Sequence, residues 1–166
     1  MVILIAECGD ITKQQVDAVV NAANNRMRGG GGVDGAIHRA GGPAILADCV
    51  ECFPNGLATG DAGWTTAGDM PARWVIHTVG PNYNAGQRDR ALLESCYRRA
   101  LDVADELGVQ TIAFPLISAG IYVWPLDDAI DAAVSTIENS DTRVCEARIV
   151  VLNDDLLARV QKRIRS

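Results

Sequence analysis

Residues 19–38 read Val19-Val20-Asn21-Ala22-Ala23-Asn24-Asn25-Arg26-Met27-Arg28-Gly29-Gly30-Gly31-Gly32-Val33-Asp34-Gly35-Ala36-Ile37-His38. The apolar opening, which continues from Ala18, has the character of a buried strand. Beyond the glycines the chain leads into a helix, where Asp34 and His38, four apart, share a face. The four consecutive glycines each cost about 0.5–1 kcal/mol relative to alanine in regular structure. A flexible linker would tolerate them, but linkers seldom separate a buried strand from a helix only a few residues away. Close approach of backbone to a ligand is the better reason, because only glycine lets several N–H groups converge on one phosphate. The stretch reads as strand, ligand loop and helix, a unit of open α/β sheets, which bind ligands beyond the carboxyl ends of their strands.

The same order recurs at Phe114-Pro115-Leu116-Ile117-Ser118-Ala119-Gly120-Ile121-Tyr122-Val123-Trp124-Pro125. Ser118, Ala119 and Gly120 permit backbone contact with a phosphate, while Tyr122 and Trp124 can stack on or wall in a sugar or base. Neither loop fits G-x-x-x-x-G-K-[ST] or G-x-G-x-x-G, which disfavours the common NTPase and dinucleotide readings. Strands are expected at Val2–Ala6, Ala18–Val20, Trp74–Val79, Thr111–Leu116 and Ala147–Leu152. A helix over Arg88–Leu107 repeats Leu93, Cys96, Tyr97, Ala100, Leu101, Ala104 and Leu107 on one face and ends at Gly108. A second starts at Pro125, with Asp127 and Asp128 complementing its dipole. A third follows Asn153, with Asp154 and Asp155 at its start and Lys162, Arg163 and Arg165 at its end. The alternation predicts an α/β domain.

A chain of 166 residues, 48% apolar and 22% charged, suits one packed domain. Its start lacks a basic region and a long apolar core, and no apolar stretch nears the roughly 20 residues of a membrane helix. A soluble, cytoplasmic protein is expected. The five cysteines show neither a disulfide framework nor zinc spacing, and Cys49-x-x-Cys52 reads as two helix positions three apart. The net charge of −6 lacks the basic footprint that nucleic-acid binding relies on, so any phosphate must be held by backbone N–H groups. No motif asks for a metal or cofactor. His77, in an apolar run, reads as a hydrogen-bonded sheet residue.

Gly9-Asp10-Ile11-Thr12 alone is a strand end, with Asp10 an N-cap or turn residue. In register, however, Gly9–Thr12, Val16–Asn24, Gly30–His38, Val75–Pro81 and Ser118–Tyr122 resemble the macrodomain family, in its MacroD-type ADP-ribosyl hydrolase branch, over nearly the whole chain. The resemblance implies a single-domain three-layer α/β/α sandwich over residues 1–166, with a mixed central sheet and ADP-ribose in a cleft at the strands' carboxyl ends. It assigns Asp10 to the adenine amino group and the Ile11 N–H to the ring, a pairing that disfavours guanine. It assigns Asn24 to the distal ribose, Gly30, Gly31, Gly32 and Val33 to ribose and diphosphate, and Ser118, Ala119, Gly120, Ile121 and Tyr122 to the diphosphate's other side. Ala22 and Asn153 complete the ligand set.

By the same resemblance Asp34, aided by Asn24, lies beside the anomeric carbon, where it would hold or deprotonate a water, a role typically worth about 10²–10⁴-fold. Substrates would be mono-ADP-ribose esters on acidic side chains and O-acetyl-ADP-ribose, with the diphosphate helping to orient the water. Some relatives attack the ribose with a lysine. Here the only lysines are Lys13, beside the adenine motif, and Lys162, in the terminal helix, so water attack is favoured. Expected partners are ADP-ribose and ADP-ribosylated proteins, with a monomeric chain, no membrane and no nucleic acid unless it is itself ADP-ribosylated. The alternatives are a non-catalytic ADP-ribose reader and an ADP-ribose 1″-phosphate phosphatase. Asn24 and Asp34 favour the hydrolase, because pure binding requires neither. His38 could support Asp34 or contact the ribose. The chain departs from the family pattern at Asn25-Arg26-Met27-Arg28, whose arginines could meet a protein substrate or the phosphates, at Ala119 and Val123, and in Phe53–Asp69.

Overall fold

The computed structural model describes residues 1–165, so Ser166, the last residue of the expected domain, lies outside the described residues. In chain order the elements are β1 (Ile3–Cys8), β2 (Ala18–Ala23), α1 (Gly32–Gly41), α2 (Pro43–Cys52), β3 (Ala62–Thr66), β4 (Trp74–Val79), α3 (Arg90–Leu107), β5 (Thr111–Phe114), α4 (Leu126–Glu138), β6 (Glu146–Val151) and α5 (Asp154–Arg165). Short 3₁₀ turns occupy Ile11–Lys13 and Tyr83–Ala85. The strands form one six-stranded sheet in the order β1-β6-β5-β2-β4-β3. All neighbours are parallel except β3 and β4, which makes the sheet mixed.

Period-two alternation in the strands creates the three layers. Ala18 and Val20 of β2, with Ile112, Phe114, Ala147 and Ile149, point to one face, where α3, α4 and α5 cover them with Leu93, Tyr97, Ile130, Val134 and Val160. Val19 and Ala23, with Val75, Val79 and Ala113, point to the other, where Ile37 of α1 and Ile45 and Cys49 of α2 close a smaller core. The helix signals hold: Asp89 caps α3 by accepting from Ala91 N at 2.9 Å, and Gly108 ends it in the left-handed region.

Three expectations change. Strand β3 was not anticipated. Strand β5 stops at Phe114 rather than Leu116, because Pro115 has no N–H to give a ladder. Strand β2 runs three residues past Val20, to Ala23, paired to β4 throughout, while its pairing with β5 is limited to Ala18↔Ile112 and Val19↔Ala113. Beyond Val19 the two central strands part, and the fork between them is the root of a cleft.

Candidate functional site

Both walls of the fork follow from the strands that carry them. From β2 the chain passes through Asn24, whose Nδ2 donates to Gly29 O at 3.1 Å and whose Oδ1 accepts from Arg26 N at 3.2 Å. Met27, at φ 58°, plunges into the smaller core and anchors the loop from below. Gly29 and Gly32 take positive φ, and Gly31 is the N-cap of α1 with no side chain capping the first turn, so the exposed glycines present backbone. A methyl group at Gly30 would lie 3.1 Å from both Asn24 Nδ2 and Asp34 Oδ2, so this position faces the space between those two side chains.

The opposite wall follows β5. Ser118 stands at φ 66°, its hydroxyl donating to Pro81 O at 2.8 Å, and the buried Tyr97 hydroxyl accepts from Ile117 N at 2.9 Å. The phosphate-type loop is thus pinned to the core by α3. Ile121, largely exposed, reaches across: methyls at Gly31 and Gly32 would meet its Cδ1 at 3.3 and 3.4 Å. Tyr122 is half-buried beside it. Trp124 does not wall the cleft. It is buried at 4%, stacks edge-on with Tyr83 and donates from Nε1 to Asp128 Oδ2 at 2.8 Å, because the turn at Val123 directs it into the larger core. Val123 makes that turn at φ 54°, a conformation that costs a β-branched residue about 1–2 kcal/mol. Val123→Gly is expected to raise unfolding free energy by about 1 kcal/mol net of the chain entropy glycine adds, read from a denaturant midpoint.

Farther along the strand ends, Asp10 follows β1 and Asn153 follows β6, so both lie on the same edge of the sheet as the fork. Asp10 is exposed and does act as an N-cap. Its Oδ1 accepts from Thr12 Oγ1 at 2.7 Å and Thr12 N at 2.9 Å, hydrogen bonds that hold its carboxyl below the usual carboxylate range. Ile11 beside it is buried. Asn153 Oδ1 accepts from Leu156 N at 2.9 Å and so caps α5. Ala22 is half-buried next to the end of β2, and Val33 is the second residue of α1. Arg28, expected to be available to phosphates or a protein substrate, is spent on main-chain carbonyls: Arg26 O and Met27 O at 3.1 Å, Cys49 O at 3.3 Å and Pro54 O at 3.4 Å. It ties the loop to the end of α2, while Arg26 stays exposed.

Asp34, 4% exposed, faces the fork from the first turn of α1. Its Oδ1 accepts from Asn21 Nδ2 at 2.8 Å and lies 3.4 Å from His38 Nε2, so His38 does support it. Asn21 also meets His77 Nδ1 at 3.0 Å, and His77 Nε2 lies 2.8 Å from Thr65 Oγ1. His77 is thus the expected hydrogen-bonded sheet residue. Sequence reading missed its partners Asn21 and Thr65, although an asparagine inside an apolar strand run was a signal that something buried must satisfy it. Cys49 is buried, its thiol pushed up to about 11 by desolvation, and Cys52 is exposed; both are free. Among the described residues no group of three His, Cys, Asp or Glu could hold a metal ion, and no helix is long and apolar enough to cross a membrane.

Burial, with the His38 ring alongside, pushes His77 down to about 3. An unfolded histidine titrates near about 6.5, so between these values the unfolded chain binds a proton that the native chain refuses. The stability from keeping His77 neutral is complete above the unfolded value and falls as pH drops toward 3, by up to about 1.4 kcal/mol per pH unit. Urea midpoints measured from pH 7 to pH 4 should fall more steeply in the wild type than in His77→Gln; parallel slopes would contradict a neutral buried His77.

The family model described as Macro domain matches residues 20–133. A macro domain-containing protein of Streptomyces coelicolor is 57% identical over 149 residues, covering 87% of this chain and 88% of the relative. A Pantoea vagans protein named O-acetyl-ADP-ribose deacetylase 1 is 49% identical over 134 residues, covering 79% of this chain and 78% of the relative. Among solved structures, a variant Oceanobacillus iheyensis macrodomain with ADPR superposes with a TM-score of 0.90 at 36% identity, covering 98% of this chain and 91% of that one.

Proposed function

The chain belongs to the macrodomain family, and on that premise we propose that it binds ADP-ribose and hydrolyses its esters, both mono-ADP-ribose on acidic side chains and O-acetyl-ADP-ribose, as in the MacroD-type branch. The observation that carries the reading is Asp34: a buried carboxylate with one oxygen tied by Asn21 and His38 and the other turned toward Asn24 across Gly30. Binding alone does not require a buried carboxylate held in that way.

The order of strands supports a ligand laid across them. Adenine would sit at β1, where the Asp10 carboxylate, acceptor-only when ionised, takes the amino group and disfavours guanine. The diphosphate would lie between the glycine loop after β2 and the Ser118–Tyr122 loop after β5, held by N–H groups with no basic patch. The hydroxyl of Ser118 is engaged with Pro81 O, so that residue contributes through its backbone. The distal ribose would reach Ala22, Asn24 and Asp34. There Asp34 Oδ2 takes a proton from water as the hydroxide adds to the ester's carbonyl carbon. The bond from that carbon to the ribose oxygen breaks and the proton passes to this oxygen, so both substrates give ADP-ribose, with the glutamate side-chain acid or acetic acid, which then ionises, as the second product. Lys13 belongs to the adenine end and Lys162 to α5, so no lysine attack is invoked.

The test is to incubate the protein with a substrate mono-ADP-ribosylated on glutamate and with O-acetyl-ADP-ribose, and to follow free ADP-ribose by chromatography. Release from both is expected. Tight binding of ADP-ribose with no release would make the protein a reader, and phosphate release from ADP-ribose 1″-phosphate alone would make it a phosphatase.

A further inference from the structure

A hydrogen-bond chain with one direction runs beneath the cleft. Thr65 Oγ1 donates its single hydrogen to Thr66 O at 2.9 Å, so toward His77 Nε2, 2.8 Å away, it can only accept. His77 Nε2 must then carry the proton, which in a neutral imidazole leaves Nδ1 as an acceptor. Asn21 Nδ2, 3.0 Å from Nδ1 and 2.8 Å from Asp34 Oδ1, spends one hydrogen on each. Thr65, His77 and Asn21 are all at most 1% exposed, so no water competes for these positions. The arrangement leaves Asn21 Oδ1 buried with no partner among the described residues. An orphaned acceptor costs about 1–3 kcal/mol, so the amide is held against its own hydrogen-bonding interest by what its nitrogen does.

We propose that Asn21, oriented by Thr65 through the proton position of His77, is a positioning residue that occupies Asp34 Oδ1 and so makes Oδ2 the oxygen that takes the proton from water. The proposal rests on the hydrolase reading for its last clause only. His38 approaches the same Oδ1 from α1, and a side chain at Gly30 would approach Oδ2, so the two oxygens already have different surroundings. The groups around His77 are Asn21 on β2, Thr65 on β3, His38 on α1 and Cys49 of α2, whose Sγ lies 4.0 Å from Nε2. Of these, only His38, whose Nε2 lies 3.4 Å from Asp34 Oδ1, stands within reach of Asp34 if Asn21 were lost.

The discriminating variants are at Thr65, which does not touch Asp34. Thr65→Val keeps the shape and removes the acceptor, freeing His77 to take the other tautomer and turn an N–H toward Asn21. Thr65→Ser keeps the hydroxyl. Expected for Thr65→Val is a ten- to hundredfold fall in kcat with the dissociation constant for ADP-ribose unchanged within about threefold; Thr65→Ser is expected to stay near wild type. Equal kcat in all three proteins would overturn the proposal. Nitrogen-15 shifts of the His77 ring and the carbon-13 shift of the Asp34 carboxyl at neutral pH, read in the same proteins and in Asn21→Leu, test the chain without turnover. The proton is expected on Nε2 in wild type, with the Asp34 carboxyl resonance displaced in Asn21→Leu, where Oδ1 has lost its amide donor. A proton on Nδ1, or an undisplaced Asp34 carboxyl resonance, would overturn the proposal. If these spectra come out as expected while the wild type releases no ADP-ribose, the hydrolase reading fails and the clause naming Oδ2 as the base fails with it.

Discussion

Asp34→Asn is expected to lower kcat for release of ADP-ribose from a glutamate-linked substrate by about 10²–10⁴-fold while changing ADP-ribose affinity less than about threefold. The substitution keeps the side-chain shape, and an amide oxygen in place of Oδ1 can still accept from Asn21 Nδ2, which stands 2.8 Å away. What it removes is the oxygen facing Asn24, which becomes an NH₂ group unable to take a proton. Because the backbone of the glycine loop and of the first turn of α1 is unchanged, binding should survive, and the loss should fall on kcat. Single-turnover release followed by chromatography, with affinity from calorimetry, separates the two quantities. Release by the variant at the wild-type rate would shift the work of orienting the water to the substrate's own diphosphate.

The largest effect on folding is expected from Gly56→Ala, a loss of about 3 kcal/mol or more. Gly56 adopts φ 78°, and a methyl built there collides with the carbonyl oxygen of Asn25. That carbonyl is backbone and already accepts from Leu57 N at 2.9 Å, while Asn25 Nδ2 donates to Leu57 O at 3.0 Å and Thr59 Oγ1 at 3.1 Å. Neither side can move without breaking this reciprocal clamp. Asn25 directly follows Asn24, so the same variant should also weaken ADP-ribose binding in whatever fraction remains folded. Urea unfolding at neutral pH measures the first effect; a midpoint within experimental error of wild type would mean the loop yields more freely than its contacts imply.

Where the backbone has to do something unusual, the sequence made it plain. Four glycines after a strand, Gly108 after a long amphipathic face and Asp127–Asp128 after Pro125 each announced a local geometry that appears in the fold. Strand β3 escaped because Gly63 interrupts its apolar alternation; the glycine is there because a side chain would strike the Phe53 ring, a contact made from another element. Trp124 and Arg28 were misjudged for a related reason. An aromatic after a turn and a cation beside a glycine loop suit a ligand, yet the turn at Val123 sends the indole inward and the end of α2 claims the guanidinium. The Asn21–His77–Thr65 chain was illegible because its members come from three different strands, and only β2, β4 and β3 lying side by side bring them together.

The sheet is covered by three helices on one face and two on the other, and Asp34 belongs to the lighter cover. Helix α1 contains Gly32, Gly35 and Gly41, and α2 buries only Ile45 and Cys49, so little apolar surface resists the lifting of this pair. Native-state hydrogen exchange should therefore show α1 and α2 opening at lower free energy than α3 and α4, as a separate cooperative unit. A ligand spanning the loops after β2 and β5 would fasten the weak leaf to the strong one, so its binding energy would appear first as slower exchange in α1 and α2 and only later as a higher global melting temperature.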